Sequence, residues 1–425
     1  MAVGRNIILG GLSDGHWNFL PVAGGAPLPG SGDLTRDGRL QKAEESGSSA
    51  FCHLPPAVSR LQFSAVRRVT CPSAMTAILP HAVRRGLVLG KFLPYHTGHA
   101  HLIRAARSQV DVLTVLVCSI DREPIPGTTR FAWVAESHPD CRVVHVAEEV
   151  PQAPDEHPAF WPIWTDLVRR NAGDIDTVFT SEDYGDELAR RLGARHVCVD
   201  RGRTAYPISG SAIRQDPLRH WAFIPPVVRP SYVHRVAILG TESTGKTTLA
   251  QQLAETFDTT WVPEYGREYC EGRDALELTS DDLDAIARGQ ILAEESAARS
   301  ANRVLICDTD VRTTATWSDI ILGTRSAWLS QAAAADDYSH ALLLYADVPW
   351  VDDGMRVLRD QRTRHTNLLE GELQATHQSF TRIQGPFEQR FQQSAIVIDN
   401  VLRMPVRPRF EPVASHALTP TGQAG

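Results

Sequence analysis

Two histidines, His96 and His99, have a spacing that suits phosphate chemistry. They lie in the segment GKFLPYHTGH (90–99), three residues apart at the predicted start of a helix, so both imidazoles can face one side. The free N–H groups and the dipole of a helix N-terminus attract anions. We therefore predict that the pair binds phosphate and stabilises charge while a nucleotidyl group is transferred. Histidines packed at a helix cap are the structural alternative.

A second anion-binding segment, ISGSAIR, spans residues 208–214. Ser209 and Ser211 offer hydroxyl groups, and Gly210 permits a close approach of the backbone. Arg214 lies one turn into the predicted helix. These groups together suit a triphosphate. An ordinary serine-capped helix is the alternative for this segment taken alone.

The segment GTESTGKT (240–247) fulfils the pattern G-x-x-x-x-G-K-[ST] of a nucleotide-binding phosphate loop. It follows the apolar segment 236–239 and precedes the helical pattern 248–257, as the motif requires. Lys246 can reach the β- and γ-phosphates, and the hydroxyl of Thr247 can hold Mg²⁺. The other residues of the segment that we expect to contact ATP phosphates are Gly240, Ser243, Thr244, Gly245 and Thr248.

Acidic residues end two other apolar segments of this half. In VLICDTD (304–310), Asp308 is the first choice for a metal ligand and Asp310 the second, with helix capping as the alternative. In WVPEYGRE (261–268), Glu264 is placed to accept a hydroxyl proton, with Asp308 as the alternative for that role. Because the carboxyl ends of parallel strands share one edge of a sheet, we expect these acids beside the phosphate loop, where a small-molecule kinase binds its acceptor.

Aromatic and basic residues complete the predicted kinase site. Trp261 or Tyr265 is placed to stack on a ring, and Arg267 to steady phosphate charge, with packing as the alternative for the aromatics. A basic cluster that can close over the transferring phosphoryl group is formed by Arg356, Arg359, Arg362 and Arg364. A solvated helix face is the alternative for any one of these arginines.

The elements that must position these groups alternate between strand and helix. Residues 86–90 and 112–119 are buried-type strands, and the helical pattern 96–110 lies between them. This alternation predicts parallel sheets, hence an α/β fold, and it starts again at residues 236–240. Residues 222–232 are rich in proline and are predicted to be an extended linker between two domains.

Composition excludes several classes of protein. Hydrophobic residues at 42% and charged residues at 22% are ordinary for a globular protein, and the formal net charge of −7 argues against a surface that wraps nucleic acid. No segment approaches the ~18–20 apolar residues that cross a bilayer. The seven cysteines are an odd number without CxxC pairing, which favours reduced thiols in the cytoplasm.

Residues 1–80 are rich in Gly, Ser and Pro and lack helical or strand periodicity, which predicts either a disordered extension or a translation start at Met75. The predicted domains are 84–224 and 234–402, joined by a linker at 225–233. Residues 403–425 are predicted to be a flexible tail.

The two anion-binding segments of the first domain resemble those of the HxGH nucleotidyltransferases, which hold a triphosphate with both histidines and with the serines and arginine of ISGSAIR. The segments PIPGTTR (124–130) and FTSEDYGDELA (179–189), with the fused phosphate-loop kinase, resemble the bifunctional NMN adenylyltransferase/ribosylnicotinamide kinases. The resemblance covers roughly residues 84–400 and implies a Rossmann-like nucleotidyltransferase followed by a P-loop kinase. The first-domain residues that it adds as phosphate ligands are Gly90, Lys91 and Phe92, and those that it adds as substrate ligands are Arg130, Ser181, Glu182 and Tyr184. Trp161 and Trp164 are placed to stack on nicotinamide, with packing as the alternative.

This resemblance implies phosphorylation of ribosylnicotinamide to NMN, then adenylylation of NMN to NAD, with ATP as co-substrate and Mg²⁺ as cofactor. The alternatives are the same folds acting on another nucleoside or phosphate ester, or a sensor of NAD or ATP with weak catalysis. Some members of this family carry an N-terminal helix-turn-helix. Residues 1–80 show no helical pairing of that kind, so nucleic acid is not an expected partner, whereas self-association into a homo-oligomer is compatible with the sequence.

Overall fold

The structure is a computed structural model that describes residues 82–273, 277–335, 338–349 and 359–410. Three predictions lie outside these ranges: the character of residues 1–80 with the start at Met75, the role of Arg356, and the tail beyond residue 410.

The first part of the described chain, here called the first lobe, is a parallel sheet with helices between its strands. The strands are β1 (Arg85–Gly90), β2 (Val112–Ser119), β3 (Arg142–Ala147), β4 (Thr177–Thr180) and β5 (Arg195–Cys198). The helices are α1 (Thr97–Arg107), α2 (Gly127–Ser137), α3 (Phe160–Ala172), α4 (Tyr184–Leu192) and α5 (Gly210–Gln215). The strand order β3-β2-β1-β4-β5 reverses beside β1, and ligands bind at such a switch point. The crevice there lies at the carboxyl end of β1, where the HxGH segment begins.

The second lobe repeats this architecture with another sheet. Its strands are β6 (His234–Gly240), β7 (Trp261–Val262), β8 (Val304–Asp308), β9 (His340–Leu344) and β10 (Phe380–Ile383). Its helices include α6 (Lys246–Thr256), α7 (Tyr265–Tyr269), α8 (Ser280–Ala298), α9 (Val311–Ile321), α10 (Ala327–Ala335), α11 (Arg362–Ala375) and α12 (Phe387–Val401). The order is β10-β9-β6-β8-β7, with all neighbours parallel. The predicted α/β fold with parallel sheets is confirmed.

Burial explains why the central strands read as continuous apolar runs. Every residue of β6 is buried, and β2 is buried except at Val112, because helices cover both faces of each sheet. The helix that was predicted over 96–110 is shorter and spans Thr97–Arg107. Within the described residues, no helix has the length and apolar character needed to cross a bilayer.

The connection between the lobes differs from the extended linker that the prolines predict. It contains short 3-10 helices at Trp221–Phe223 and Arg229–Ser231, and Val228 and Tyr232 are buried. The prediction of an extended conformation is therefore wrong. Proline is tolerated in the first turn of a helix, and the apolar side chains between the prolines gain stability by packing.

Residues 403–410, which the sequence analysis assigns to a loose tail, make specific contacts. The hydroxyl of Thr129 donates to the carbonyl oxygen of Phe410 at 2.8 Å. The ring of Phe410 lies edge-on to Trp133 and Tyr232, at centroid distances of 6.3 and 5.9 Å. The segment therefore packs against the first lobe and the inter-lobe connection, and this part of the tail is not loose.

Candidate functional sites

His96 and His99 lie together at the start of α1, as their spacing predicts. His96 is the N-cap of the helix, and the two ring centroids are 3.7 Å apart with planes inclined by 23°. Burial lowers the pKa of His96 to about 3, and it lowers the pKa of His99 well below its usual value. The positive charge of Arg203 contributes to the lowering of both pKa values. Both rings are therefore neutral at physiological pH, and each offers one N–H group.

These rings also carry buried polar atoms that need a partner. Among the described residues, neither His96 Nδ1 nor His99 Nδ1 has a hydrogen-bond partner although both are buried. A buried polar atom without a partner costs free energy, on the order of 1–3 kcal/mol. A bound phosphate group would supply acceptors for such N–H groups, so the pair has the chemistry of a phosphate site.

The ISGSAIR segment lines the same pocket. Ser209 is the N-cap of α5 and accepts a hydrogen bond from the Ala212 N–H at 3.2 Å, so the capping alternative is also realised. The Arg214 guanidinium donates to the carbonyl oxygen of Leu93 and to Ser211 Oγ. A Cβ at Gly210 would lie 2.2 Å from that carbonyl oxygen, so only glycine fits at this contact.

A cavity of about 370 Å³ lies between these segments. It brings together most of the first-lobe residues predicted from sequence, namely Gly90, Lys91, Phe92, His96, His99, Trp164, Ser181, Glu182, Tyr184, Ser209, Ser211 and Arg214. Trp164 is nearly buried and donates from Nε1 to the Pro151 carbonyl oxygen at 2.9 Å. Its role as a nicotinamide ligand stays a prediction.

Two predicted substrate ligands do not line this cavity. Arg130 is fully buried, pairs with Glu123 at 2.6 Å and donates to the Lys91 carbonyl oxygen at 2.7 Å. It therefore supports the loop that carries Lys91 rather than facing the cavity. Trp161 packs against an apolar cluster that includes residues of β4. The Arg191 guanidinium lies 5.4 Å from the Trp161 ring centroid.

Sequence reasoning missed Arg203, which lines the cavity. Its backbone is left-handed with φ of 50°, and its guanidinium contacts Glu182 Oε1 at 3.1 Å. Asp200 shapes the same loop by accepting the Thr204 N–H at 2.8 Å. In the sequence, the stretch DRGRT between β5 and α5 offers a glycine among basic residues as the only sign of such a role. This pattern is too weak to predict a ligand-binding residue.

The phosphate loop of the second lobe has the backbone that its glycines predict. Gly240 and Gly245 adopt φ of 148° and 84°, and a Cβ at Gly240 would lie 2.7 Å from the Leu344 carbonyl oxygen. Because Gly245 forms the N-cap, α6 begins at Lys246, two residues before its predicted start. Thr244 and Ser243 lie within the loop, whereas Thr248 is exposed in the first turn of the helix.

A buried acid faces this loop, and it fits the requirements of Mg²⁺. Thr247 Oγ1 donates to Asp308 Oδ2 at 2.5 Å, and Asp308 is fully buried at the end of β8. Its other oxygen, Oδ1, has no hydrogen-bond partner among the described residues. The pKa of Asp308 is raised to about 6, chiefly by burial and also by the nearby charge of Glu264, which together outweigh the lowering effect of Lys246. An orphaned carboxylate oxygen beside a threonine hydroxyl is an oxygen donor set of the kind that Mg²⁺ prefers.

Asp310, the second choice as a metal ligand, has other partners. Its Oδ1 accepts the Thr313 N–H at 3.0 Å as the N-cap of α9, and its Oδ2 pairs with Arg312 at 2.9 Å. Both carboxylate oxygens are thus engaged within the protein. The helix-capping alternative describes Asp310.

The predicted acceptor residues follow β7. Glu264 is the N-cap of α7, and the Tyr265 N–H donates to Gln290 Oε1 at 3.0 Å. Arg267 lies close enough for its charge to lower the pKa of Asp308. Trp261 packs against an apolar core of the second lobe, as the packing alternative predicts.

The basic cluster is only partly beside the loop. Arg362 donates to the Ser243 carbonyl oxygen at 3.4 Å, whereas Arg364 contacts Gln361. Arg356 lies outside the described residues, and for Arg359 only the backbone is described. Sequence reasoning missed Arg390, which is buried and donates to the Thr244 carbonyl oxygen at 2.9 Å, because nothing in its helical surroundings distinguishes it.

A switch-point pocket with paired neutral histidines and a phosphate loop faced by a buried acid define the class of this protein. It is a two-lobed α/β protein with a nucleotidyltransferase-type site and a P-loop kinase-type site. An AAA domain family model matches residues 235–390. A curated relative, the "Trifunctional NAD biosynthesis/regulator protein NadR" of Escherichia coli (strain K12), is 33% identical over 325 residues, which are 70% of this chain and 78% of the relative. The chain belongs to the NadR family.

Solved structures share the fold. A NadR protein in complex with NR aligns with a TM-score of 0.63 and 22% identity over 77% of this chain and 98% of that one. A NadR protein in complex with NAD and AMP-PNP aligns with a TM-score of 0.60 and 23% identity, over 76% of this chain and 98% of that one.

Proposed function

We propose that the chain makes NAD in two steps, each in one lobe. The second lobe phosphorylates ribosylnicotinamide with ATP to give NMN, and the first lobe adenylylates NMN with a second ATP to give NAD and pyrophosphate. The observation that carries the proposal is the presence of both phosphate sites in one chain of the NadR family. The relatives solved with NR, and with NAD and AMP-PNP, support the choice of substrates.

In the kinase step, the 5′-hydroxyl oxygen attacks the γ-phosphorus of ATP, and ADP leaves. Lys246 is placed for the β- and γ-phosphates, and Thr247 and Asp308 would hold Mg²⁺, which neutralises phosphate charge when bound. Asp308 already binds Thr247 and sits deep in the site. Glu264 is the candidate to accept the hydroxyl proton, because it lies at the N-cap of α7 after β7 and close enough to Asp308 for its charge to act there.

In the adenylyl step, an oxygen of the NMN phosphate attacks the α-phosphorus of ATP, and the bond to the β-phosphate breaks. No protein nucleophile is needed because the substrate phosphate is itself the nucleophile. His96 and His99 would donate N–H groups to the triphosphate, while Arg214 and Ser211 neutralise and orient the leaving pyrophosphate. Catalysis then rests on positioning and charge stabilisation.

Product analysis tests the proposal and its division between the lobes. Purified protein is given ribosylnicotinamide, ATP and Mg²⁺, beside Lys246→Ala. We expect the wild type to make NMN and then NAD, and the variant to lose kinase activity by on the order of 10³-fold, a loss of several kcal/mol of transition-state stabilisation. The variant should still convert supplied NMN into NAD.

The other outcomes separate the alternatives. Turnover of a different nucleoside or phosphate ester, with none of ribosylnicotinamide, would keep the folds and reject the substrates. Tight binding of NAD or ATP without turnover would favour a sensor. Cytoplasmic location, self-association and the absence of a nucleic-acid partner stay predictions.

A further inference from the structure

A tight turn after α2 gathers three side chains that can bind a metal. In the turn His138-Pro139-Asp140-Cys141, the Cys141 N–H donates to the His138 carbonyl oxygen at 3.1 Å. Proline at the second position restricts the backbone to the conformation that such a turn needs. One ligand atom from each of His138, Asp140 and Cys141 lies within 4.8 Å of the others. The local sequence therefore holds an imidazole, a carboxylate and a thiol together before any ligand is present.

The imidazole is oriented as a metal ligand requires. His138 is buried, and its Nε2 is 2.8 Å from the Tyr95 hydroxyl, while Nδ1 makes no hydrogen bond within the described residues. Ligating histidines in proteins are commonly held by a hydrogen bond from the second ring nitrogen. Here Nε2 is engaged with the Tyr95 hydroxyl, which leaves Nδ1 as the nitrogen available to a metal.

The carboxylate and the thiol complete the donor set. The Cys141 Sγ lies 3.8 Å from Asp140 Oδ1, and Cys141 is a free, half-buried cysteine. Asp140 Oδ2 pairs with Arg107 at 3.1 Å, which leaves Oδ1 on the side of the thiol. The positive charges that face this turn, Arg104 and Arg107, oppose a bare cation, and the Asp140 carboxylate together with the thiolate that forms when the metal binds offsets them.

We propose that His138 Nδ1, an Asp140 carboxylate oxygen and the Cys141 thiolate bind one zinc-class divalent cation, with the fourth coordination position open. Nitrogen and sulfur donors select zinc-class ions over Mg²⁺ and Ca²⁺. Tetrahedral ligand bonds of ~2.0–2.3 Å place donor atoms ~3.3–3.8 Å apart, so the side chains need to close by at most ~1.5 Å. Binding releases the Cys141 thiol proton to solvent.

The site has a direct connection to the adenylyl pocket. A cation on Nδ1 requires the His138 proton to be on Nε2, so Nε2 donates and the Tyr95 hydroxyl oxygen accepts. The Tyr95 ring lies 6.3 Å from that of His99, with planes inclined by 14°. Occupancy of the turn would thus change the hydrogen bonding of the residue packed against His99.

Cobalt and zinc titrations of the full chain test the proposal, with Co²⁺ as an optical probe. We expect one equivalent of Co²⁺ to produce a thiolate-to-metal charge-transfer band that Zn²⁺ abolishes by competition. The band should be lost in Cys141→Ser and retained in Cys198→Ser, the matched control for a half-buried thiol elsewhere in the first lobe. Tyr95→Phe should weaken binding by roughly 10–100-fold, as expected when the second partner of a ligating histidine is removed.

Two results would overturn the site: no thiolate band in the wild type, or an unchanged band in Cys141→Ser. Thermal unfolding of the metal-free variants establishes that each one is folded. Asp140→Asn keeps the shape of the turn and should weaken Zn²⁺ binding without loss of folding, so binding unaffected by this change would remove Asp140 from the site. Metal-free Cys141→Ser should form NAD from NMN at the wild-type rate, which separates failure of this site from failure of the proposed function.

Discussion

The two phosphate sites of this protein bind phosphate groups with different parts of the chain. In the first lobe, side chains from separated segments converge, and their polar atoms are neutral and buried, as at His96 and His99. In the second lobe, one continuous loop presents its backbone, supported by Lys246 and by an acid at the end of β8. A site made of backbone is determined by a short motif, whereas a site made of converging side chains depends on the whole lobe.

The difference also concerns charge before a ligand binds. Burial keeps the two histidines uncharged, so the first site meets a triphosphate with N–H dipoles and a few arginines. The second site contains a lysine and a carboxylate whose pKa burial raises to about 6. The first site should therefore tolerate moderate acid during catalysis better than the second.

Removing one histidine should have the largest effect and should impair the first site without impairing the second. We expect His96→Ala to lower adenylyl transfer by roughly 10²–10³-fold, the scale of losing one preorganised donor, while ribosylnicotinamide phosphorylation continues at its normal rate. Steady-state rates of both half-reactions provide the measurement, and His157→Ala, an exposed first-lobe histidine, is the control. Normal NAD formation by the His96 variant would exclude His96 from catalysis.

Acid should destabilise the first lobe through the same histidine. The pKa of His96 is about 3 in the folded protein and ~6.5 in the unfolded chain, so below pH 6.5 the unfolded chain binds a proton that the folded protein does not. Stability is thus lost as the pH falls, by up to about 2 kcal/mol at pH 5 for this residue. Urea titrations at pH 7 and pH 5 should show a smaller pH-dependent loss in His96→Asn, and an identical loss in both proteins would contradict the assignment.

The smallest effect expected is on the kinase rate in acid. With a raised pKa near 6, Asp308 gains a proton between pH 7 and pH 5 and then no longer offers a charged ligand to Mg²⁺. We expect kcat/KM for ribosylnicotinamide phosphorylation to fall about tenfold more than kcat/KM for adenylyl transfer at pH 5. ATP titrates equally in both assays, and the titration of the NMN phosphate, whose second pKa is ~6, is divided out of the adenylyl rate, so the corrected ratio isolates the protein. A constant ratio would show that Asp308 stays ionised throughout.

Much of the fold could be predicted because the buried strands have a recognisable apolar sequence pattern. Residues 112–119 are apolar except for Thr114 and Ser119, and burial on both faces of the sheet is the physical cause of that pattern. The phosphate loop could likewise be predicted, since its glycines adopt backbone angles that other residues avoid. The inter-lobe connection could not, because proline is compatible with both an extended chain and the first turn of a 3-10 helix.

The side-chain sites were predictable only where a motif is compact. His96 and His99 share one helical turn, so local spacing brings them together. Arg203 and Arg390 reach their sites through loop conformation and tertiary packing, which no short pattern encodes. Arg130, which a family-like segment predicts to be a substrate ligand, supports the loop that carries Lys91, and its substrate role stays a prediction.

The contacts of Phe410 have a consequence for the order in which the protein matures during synthesis. Ribosomes make the chain from its N-terminus, so the strands and helices of the first lobe emerge long before residue 410. Phe410 covers faces of Trp133 and Tyr232, and its carbonyl oxygen accepts the hydrogen bond of the Thr129 hydroxyl. It is translated only after the second lobe. During synthesis the first lobe therefore has an uncovered aromatic patch. Residues 403–410, the last described segment of the chain, cover that patch and complete the surface of the first lobe.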